Sequence, residues 1–332
     1  MNVLIVESPT KIKTISKYLS DDYIIISTIG HIINLKKNNL KPNELSFNKE
    51  TFEPEYIEEI DKKDVIKNIK NKIKNNNVII ATDKDREGEM IAWSIQYLFK
   101  LKNPKRIIFT SITENEIKNA LKNQLEINNN IVEAQKARRI LDRIAGFCIS
   151  GILSRTLEGA KSAGRVQSII VKIINDKEKE INEFNNKKQS TYFYVNVNIN
   201  INNMSFLTKL VKKINNKEIN NKIINFTKDE EEQVINIINK ISKSKLTLFN
   251  LTSNDKKCNP QNPFTTSTLQ QASSIKLKFN SKKTMLIAQK LYEMGHITYI
   301  RTDSIIICNE AMIDIENLIK EKYGENYYEK RI

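Results

Sequence analysis

The sequence predicts a multidomain chain, a Rossmann-like α/β domain followed by a helical part and a small β-rich part. Three observations carry this. Short apolar runs alternate with helical periodicity near the N-terminus, the period becomes helical throughout after about residue 129, and apolar and polar residues then alternate from about 189.

Element by element, "NVLIVES" is a short strand ending in an acid, and "PTKIKTISKYL" after it repeats Ile12, Ile15 and Leu19 at helical spacing. "YIIISTIGHI" reads as a second strand running into a glycine turn. "NNNVIIATDKDREGEMIAWSIQYLF" repeats the order strand, loop, helix. "KRIIFTSIT" reads as a further strand before "TENEIKNALKN", where Thr113 and Glu116 have capping-box spacing. Such alternation implies a mainly parallel, doubly wound sheet within 1–128.

The segment 129–188, from "NNNIVEAQKARRILDRIAGF" to "VQSIIVKIINDKEKEI", reads as helical and carries clustered basic residues. "QSTYFYVNVNININNMSFLTKL" alternates as half-buried strands do, with further strand expected at "KLTLFNLT", giving a β-rich segment over 189–259. After the breaker "CNPQNPF", helices return in "TSTLQQASSIKL" and "SKKTMLIAQKLYEMG", opening a last unit at 260–332. The Asn-rich runs "KNKIKNNN" and "INNKEINNKI" read as low-complexity loop expansions without a motif.

The formal net charge of +15 over 332 residues favours a polyanionic partner, nucleic acid first and an anionic membrane second, because phosphates attract a basic surface. Heavy use of Lys, Asn and Ile also fits a coding bias spread over solvated faces. No signal-peptide pattern opens the chain and no run approaches the roughly 18 apolar residues of a membrane span, so no membrane partner and a cytoplasmic location are expected. Cys148, Cys258 and Cys308 form no CxxC pair, and His31 and His296 are the only histidines. A zinc centre is therefore not expected, and any metal should be a hard cation on oxygen ligands.

The stretch "ATDKDREGEM" places Asp83, Asp85, Glu87 and Glu89 in a chain that is otherwise strongly basic. Asp83 and Asp85 end an expected central strand, the edge where α/β sheets bind ligands. Hydrated Mg²⁺ on carboxylate oxygens is one reading, and an acidic turn capping a helix is the other. Glu7 also ends a strand of that sheet, and converging carboxylates need a cation or a retained proton. Lys11, one helical turn on, could hold a phosphate oxygen.

A strand-ending Glu followed by Asp-x-Asp-x-Glu resembles the Toprim domain, shared by type IA and type II topoisomerases, bacterial primases and some nucleases. "GHITYIRTDS", residues 295–304, resembles the active-site segment of type IA DNA topoisomerases. "VESPTK" with "GHI", "QKARRILDRIAGF" and "SAGRVQS" agree in order and spacing, and "PFTTSTLQQASS" with "KKTMLIAQKLYEMGHITYIRTDS" is closer to the bacterial topoisomerase I branch than to topoisomerase III.

The resemblance implies that Tyr299 attacks a phosphodiester of a single-stranded segment in negatively supercoiled DNA, leaving a 5′-phosphotyrosyl link and a 3′-hydroxyl. Arg301 and Lys11 would offset the developing charge, and Glu7 would protonate the departing oxygen. Glu7, Asp83, Asp85 and Glu87 would hold Mg²⁺. DNA contacts would come from His31, Arg138, Arg139, Asp142, Phe147, Ser162, Ala163, Gly164, Arg165, Val166, Gln167 and Arg301. The phosphotyrosyl ester conserves the energy of the broken bond, so no ATP is needed, consistent with the lack of a GxxxxGK[ST] loop. Arg138 and Asp142 also suit a plain i,i+4 salt bridge, and the small residues of "SAGRVQS" suit helix packing.

Two departures stand out: Ser111 replaces a usual Glu, and Ser154 a common aromatic. The family builds a four-domain torus from about twice this length, so the ring is expected to be incomplete at the C-terminus. That leaves three readings: a monomeric topoisomerase part, completed by a separate polypeptide or not; a DNA-binding remnant; and another Toprim enzyme, a primase or nuclease. A nucleoid or an organelle of bacterial origin would be the setting.

Overall fold

The structure is a computed structural model that describes residues 1–36, 45–159, 162–186, 192–214, 218–248, 251, 253–256 and 259–329. Two compact units make up the chain, Met1–Gly164 with Asn259–Ile332, and Arg165–Cys258. No described helix is long and apolar enough to cross a membrane.

The first unit opens with β1 (Asn2–Val6), α1 (Pro9–Ile15) and β2 (Tyr23–Ser27), then an antiparallel pair, β3 (Ile33–Leu35) and β4 (Tyr56–Glu58). Next come α2 (Lys63–Ile73), β5 (Asn77–Ala81), α3 (Arg86–Phe99), β6 (Lys105–Arg106) and α4 (Glu114–Lys122). Helix α5 (Asn129–Ile144) passes through a π-helical turn at Ala145–Ile149 into α6 (Ser150–Thr156).

The second unit holds α7 (Arg165–Asn186), β7 (Tyr192–Phe193), β8 (Asn196–Ile201), β9 (Met204–Lys209), β10 (Val211–Ile214), β11 (Glu218–Ile223), β12 (Phe226–Thr227) and α8 (Glu231–Lys243). Its strands pair antiparallel as β8–β9, β10–β11 and β7–β12. Its small core is Val195, Phe226 and Val234. The chain then returns to the first unit through α9 (Thr266–Leu277), α10 (Ser281–Glu293) and α11 (Asn309–Tyr323).

The expected α/β sheet is present, with order β2-β1-β5-β6 and every pairing parallel. Its strands read as continuous apolar runs because both faces are covered. Val3 and Ile5 join Val78 and Ile80 in a core packed by α2 and α3. Leu4 and Val6 join Ile79 and Ala81 on the opposite face, with Ile15, Ile117, Ala288 and Tyr292. The side-chain period of two assigns each residue to one core, and a one-residue slip would exchange them all.

Local signals explain the helix starts. Ser8 caps α1, accepting from the Thr10 amide at 3.2 Å, with Pro9 in the first helical turn. Asp85 caps α3, its Oδ1 accepting from the Gly88 amide at 2.8 Å. Gly88 is required here, because a Cβ would collide with the Asp83 carbonyl. The β8–β9 hairpin turns on Asn202 and Asn203, both at positive φ, so part of an Asn-rich stretch serves as turn chemistry.

Four local expectations fail. The Asn-rich runs read as loop expansions lie partly in regular structure, one at the end of α2 and the other in β11. The strand at "KRIIFTSIT" shortens to Lys105–Arg106; Ile107 still donates to Ile80 at 2.8 Å, but the Thr110 carbonyl then accepts from the Tyr299 amide at 2.7 Å, so the tyrosine segment takes the place of further ladder. The Thr113 capping box does not form, because Glu116 accepts instead from the amide and hydroxyl of Thr110. Lys245–Leu248 has no regular structure, and Phe249, Asn250 and Thr252 of the expected strand lie outside the described residues.

The tyrosine segment is sewn onto the sheet unit. Thr14 Oγ1 donates to the Glu293 carbonyl at 2.8 Å, and Thr266 Oγ1 to the Ile300 carbonyl at 2.7 Å. Between them Gly295 sits at φ +83, where an added Cβ would lie 2.7 Å from the Ile112 carbonyl. Gly295→Ala should therefore lower unfolding stability by about 1–3 kcal/mol through backbone strain alone. Urea denaturation measures this, and an unchanged midpoint would refute the close approach.

Candidate active site

From β1 the chain turns to β2 on one side and later places β5 on the other, so the carboxyl ends of β1 and β5 flank a topological switch point. Glu7 follows β1 directly and Asp83 lies two residues beyond β5. A cavity of about 390 Å³ opens there, lined by Glu7, Asp83, Asp85, Glu87, Tyr299 and Arg301 among others. The structure thus brings together the strand-end acids and the tyrosine segment, which are more than 200 positions apart in sequence.

Lys11 is fully buried beneath the acids, its Nζ 2.5 Å from Asp83 Oδ1 and 3.3 Å from Glu7 Oε1. Glu7 Oε1 also accepts from the Asp83 amide at 2.5 Å. Tyr292, wholly buried on α10, donates its hydroxyl to Asp83 Oδ1 at 3.0 Å. Its ring meets Tyr299 edge-on, with centroids 5.2 Å apart. Tyr299 donates to Asp85 Oδ2 at 2.6 Å, and the Arg301 guanidinium pairs with the same oxygen.

These contacts set the protonation states. Burial pushes the Glu7 carboxyl up to about 7, with Lys11 pulling it down and Asp83 pushing it further up. Burial also acts to raise Asp85, but hydrogen bonds from Tyr299 and the Gly88 amide and the charge of Arg301 hold it below the usual carboxylate range. The Tyr299 phenol is pushed well above its ordinary value, by burial first and then by donation to Asp85. Here the phenol is a hydrogen-bond donor held in its un-ionised form.

Carboxylate oxygens suit a hard cation such as Mg²⁺, which Toprim domains generally bind. Their arrangement is a different matter, because each carboxylate already has protein donors. Lys11 and Tyr292 occupy Asp83, Tyr299 and Arg301 occupy Asp85, and His31 and Gln135 occupy Glu87. Among the described residues no three His, Cys, Asp or Glu side chains are gathered to hold one metal ion. The four expected carboxylates line one cavity, but in this conformation each is held by protein donors instead of being gathered around one point.

Glu87 faces a second cavity as well. His31 Nε2 lies 2.8 Å from its Oε2, and Gln135 Nε2 donates to its Oε1 at 2.5 Å. The His31 bond comes first in holding the Glu87 carboxyl below its ordinary range. This cavity, about 680 Å³, is also lined by Arg138, Arg139, Asp142, Arg143 and Phe147. Arg138 Nε lies 3.9 Å from Asp142 Oδ2, the plain i,i+4 pair, and both side chains are solvated enough to make it weak. Arg139 donates to Asn34 Oδ1 at 2.5 Å, and Arg143 lies over the Phe147 ring at 5.2 Å. The π-helical turn carries Phe147, and such insertions recur at functional sites.

In "SAGRVQS", the buried Ala163 exchanges hydrogen bonds with the Ser150 hydroxyl, its amide donating at 2.8 Å and its carbonyl accepting at 3.3 Å. Ser162, Ala163 and Gly164 close the first stretch of unit one. Arg165, Val166 and Gln167 open α7 in the second unit, so the segment is shared between units.

A parallel sheet with a strand-end Glu and an Asp-x-Asp-x-Glu loop at its switch point defines a Toprim protein, and residues 2–112 match the Toprim domain family. Residues 126–331 match the DNA topoisomerase family. The chain belongs to the type IA DNA topoisomerases, and a primase or nuclease built on the same domain is set aside. A protein of Acanthamoeba polyphaga mimivirus named DNA topoisomerase 1 type prokaryotic is 41% identical, the match covering 100% of this chain and 39% of that one. DNA topoisomerase 1 of Rickettsia bellii is 40% identical over 98% of this chain and 42% of its own length. The solved full-length topoisomerase I of Thermotoga maritima superposes with a TM-score of 0.78 at 36% identity, covering 97% of this chain and 53% of that one. The chain thus spans less than half the length of the first two relatives.

Sequence reasoning missed Tyr292, Gln135 and Arg106, and it noted Glu89 only as one of the clustered acids. Tyr292 sits four positions after Ala288 on α10 and reads as core, which its ring is; only the partner of its hydroxyl marks it. Arg106 could have been flagged as a charge opening an apolar strand. The sign for Glu7 is plain: its folded-state pKa lies above the ordinary 4.5, so the stability tied to its proton is intact below about 4.5 and lost as pH rises through about 7. Glu7→Gln should gain on the wild type between about pH 5 and pH 8, by on the order of 3 kcal/mol at most. Thermal melts at both pH values measure it, and a constant gap would mean that Glu7 titrates normally.

Proposed function

We propose that this chain carries the DNA cleavage and rejoining centre of a type IA topoisomerase. The observation that supports it most is the Tyr299 hydroxyl on Asp85 Oδ2 at 2.6 Å, with Arg301 on the same oxygen and Glu7 lining the same cavity. In the reaction the Tyr299 oxygen bonds to phosphorus and the bond from phosphorus to the 3′ oxygen breaks. Asp85 is the acceptor in line for the phenol proton, and Glu7, poised near neutrality, protonates the departing 3′ oxygen. Rejoining runs these transfers in reverse, with no ATP.

The arrangement described is a resting one. Asp85 keeps Tyr299 un-ionised while Arg301 is spent on Asp85 rather than on a phosphate. A DNA phosphate entering the cavity competes for Arg301, and the freed Asp85 becomes a better base. Lys11 acts from beneath by keeping Asp83 and Glu7 compatible, rather than by touching phosphate, since its Nζ is enclosed. Mg²⁺ on the oxygens of Asp83, Asp85, Glu7 and Glu87 would add positive charge beside the scissile phosphate; no step above depends on it.

The single strand would be held along the cavity of His31, Arg138, Arg139, Arg143 and Phe147, where guanidinium groups meet phosphates and the ring offers a stacking face. Arg165, Val166 and Gln167 open α7 in the second unit, and contact with DNA is proposed for them separately. Relaxation of negatively supercoiled DNA also demands strand passage, and is proposed for the whole protein rather than for cleavage alone.

Incubating the chain with an end-labelled single-stranded oligonucleotide should give a protein-linked label on a denaturing gel. Tyr299→Phe should abolish the adduct and leave binding intact, whereas Arg301→Ala should lower adduct formation by about a hundredfold. A wild-type chain that binds the oligonucleotide but never becomes linked to it would favour the DNA-binding remnant instead.

A further inference from the structure

Arg106 is the largest side chain in the fully buried core, and nothing in the cleavage scheme uses it. Its Nη2 donates to the backbone carbonyl of Asp83 at 2.9 Å, and its Nη1 is paired with Glu89 Oε2. Glu89, also buried, accepts on Oε1 from the Asn128 amide at 2.7 Å. Asn128 is the N-cap of α5, its Oδ1 accepting from the amides of Asn130 at 3.1 Å and Ile131 at 3.3 Å. Two turns further in, Gln135 binds Glu87, and beyond it α5 carries Arg138, Arg139 and Arg143.

The backbone closes the circuit. Arg106 donates to the Leu125 carbonyl at 2.8 Å and accepts from the Leu125 amide at 2.7 Å, three residues before Asn128. The acidic loop after β5 and the first turn of α3 therefore meet at one guanidinium, and Glu89 carries the link on to the start of α5.

A stabilising role alone explains this poorly. Buried ion pairs usually return little more than their desolvation cost, and apolar replacements of similar volume are often neutral or better. Arg106 also leaves its own Nε without a partner among the described residues. The side chain is thus held for where its two Nη groups point, not for full satisfaction of its donors. Only a planar guanidinium directs two such groups along separate fixed lines, which a lysine ammonium at the same position does not.

We propose that Arg106 and Glu89 form a positioning strut that sets the Asp83–Gly88 loop and the start of α5 at one spacing, coupling the tyrosine and acid centre to the arginine-lined cavity. The geometry of the strut stands alone; its purpose, to keep a strand held on α5 in register with Tyr299, rests on the cleavage reading above. Neither residue touches substrate in this account.

The test uses the full chain with Arg106→Lys, which keeps the charge, and Glu89→Gln, which keeps the shape. Amide hydrogen exchange in peptides covering residues 83–89 and 125–132 reads the strut directly. The expected result is faster exchange in both segments together, with exchange in the β1 and β5 peptides unchanged. Affinity for a single-stranded oligonucleotide should stay within about threefold of wild type, while the initial rate of adduct formation falls about tenfold or more, as misplacement rather than lost binding requires. Exchange that rises in one segment alone, or in neither, overturns the proposal, and so does an equal loss of affinity and adduct. Should Arg106→Lys fail to fold, Glu89→Gln decides by the same readouts. If wild type forms no adduct the cleavage reading falls, yet the paired exchange still decides whether the strut exists.

Discussion

Lys11 carries an ammonium into a place with no solvent exposure, where an isolated charge would cost far more than this fold could offset. Asp83 and Glu7 make it tolerable, and each of the three comes from a different element: α1, the loop after β5 and the end of β1. The pairing works in both directions. Without the lysine, two enclosed carboxylates would face each other across the switch point; without the acids, the buried ammonium would lack a counter-charge. Tyr292 completes the cluster from α10 by donating to Asp83, so the helix that leads to the tyrosine segment is registered on the same charges that close the sheet.

That neutralisation shapes the chemistry above it. Since Asp83 is engaged from below, Asp85 is the acid left facing Tyr299, and it divides its oxygens between the α3 amide of Gly88 and the phenol. A carboxylate used as a helix cap has a fixed orientation, so the cap also aims the oxygen that accepts from Tyr299. Hydrogen bonds from Tyr299 and the Gly88 amide, with the charge of Arg301, hold Asp85 below the usual carboxylate range against its burial, and burial first keeps the phenol un-ionised. Charge balance, and not distance alone, therefore sets the state of the groups around Tyr299.

Much of this was legible in the sequence. Strand and helix alternation foretold the parallel sheet, because a sheet covered on both faces writes unbroken apolar runs such as "VLIV" and "NVII". The helical spacing of Ile12 and Ile15 foretold α1, whereas the Ser8 cap and the crowding at Gly88 and Gly295, where a Cβ finds no room, came from the structure. Less legible were features in which one group competes for another's partner. Glu116 has capping spacing with Thr113 yet binds Thr110, and "KRIIFTSIT" loses its ladder because a segment nearly 200 residues away takes the Thr110 carbonyl.

By itself the sequence determined the family, the main alternation of strand and helix in the sheet unit and the residue types that reach the switch point, since periodicity is a local property and a motif set in fixed order is specific; the β3–β4 pair and α2 were not foreseen. Tertiary structure alone decided which partner each charge received. It turned Glu87 toward His31 and Gln135, enclosed Lys11 beneath the acids, set Asp85 against Tyr299 and Arg301, and ran Arg106 under the whole cluster to Glu89. The physical reason is that a buried charge takes the best partner within reach in space, and sequence spacing does not measure that reach.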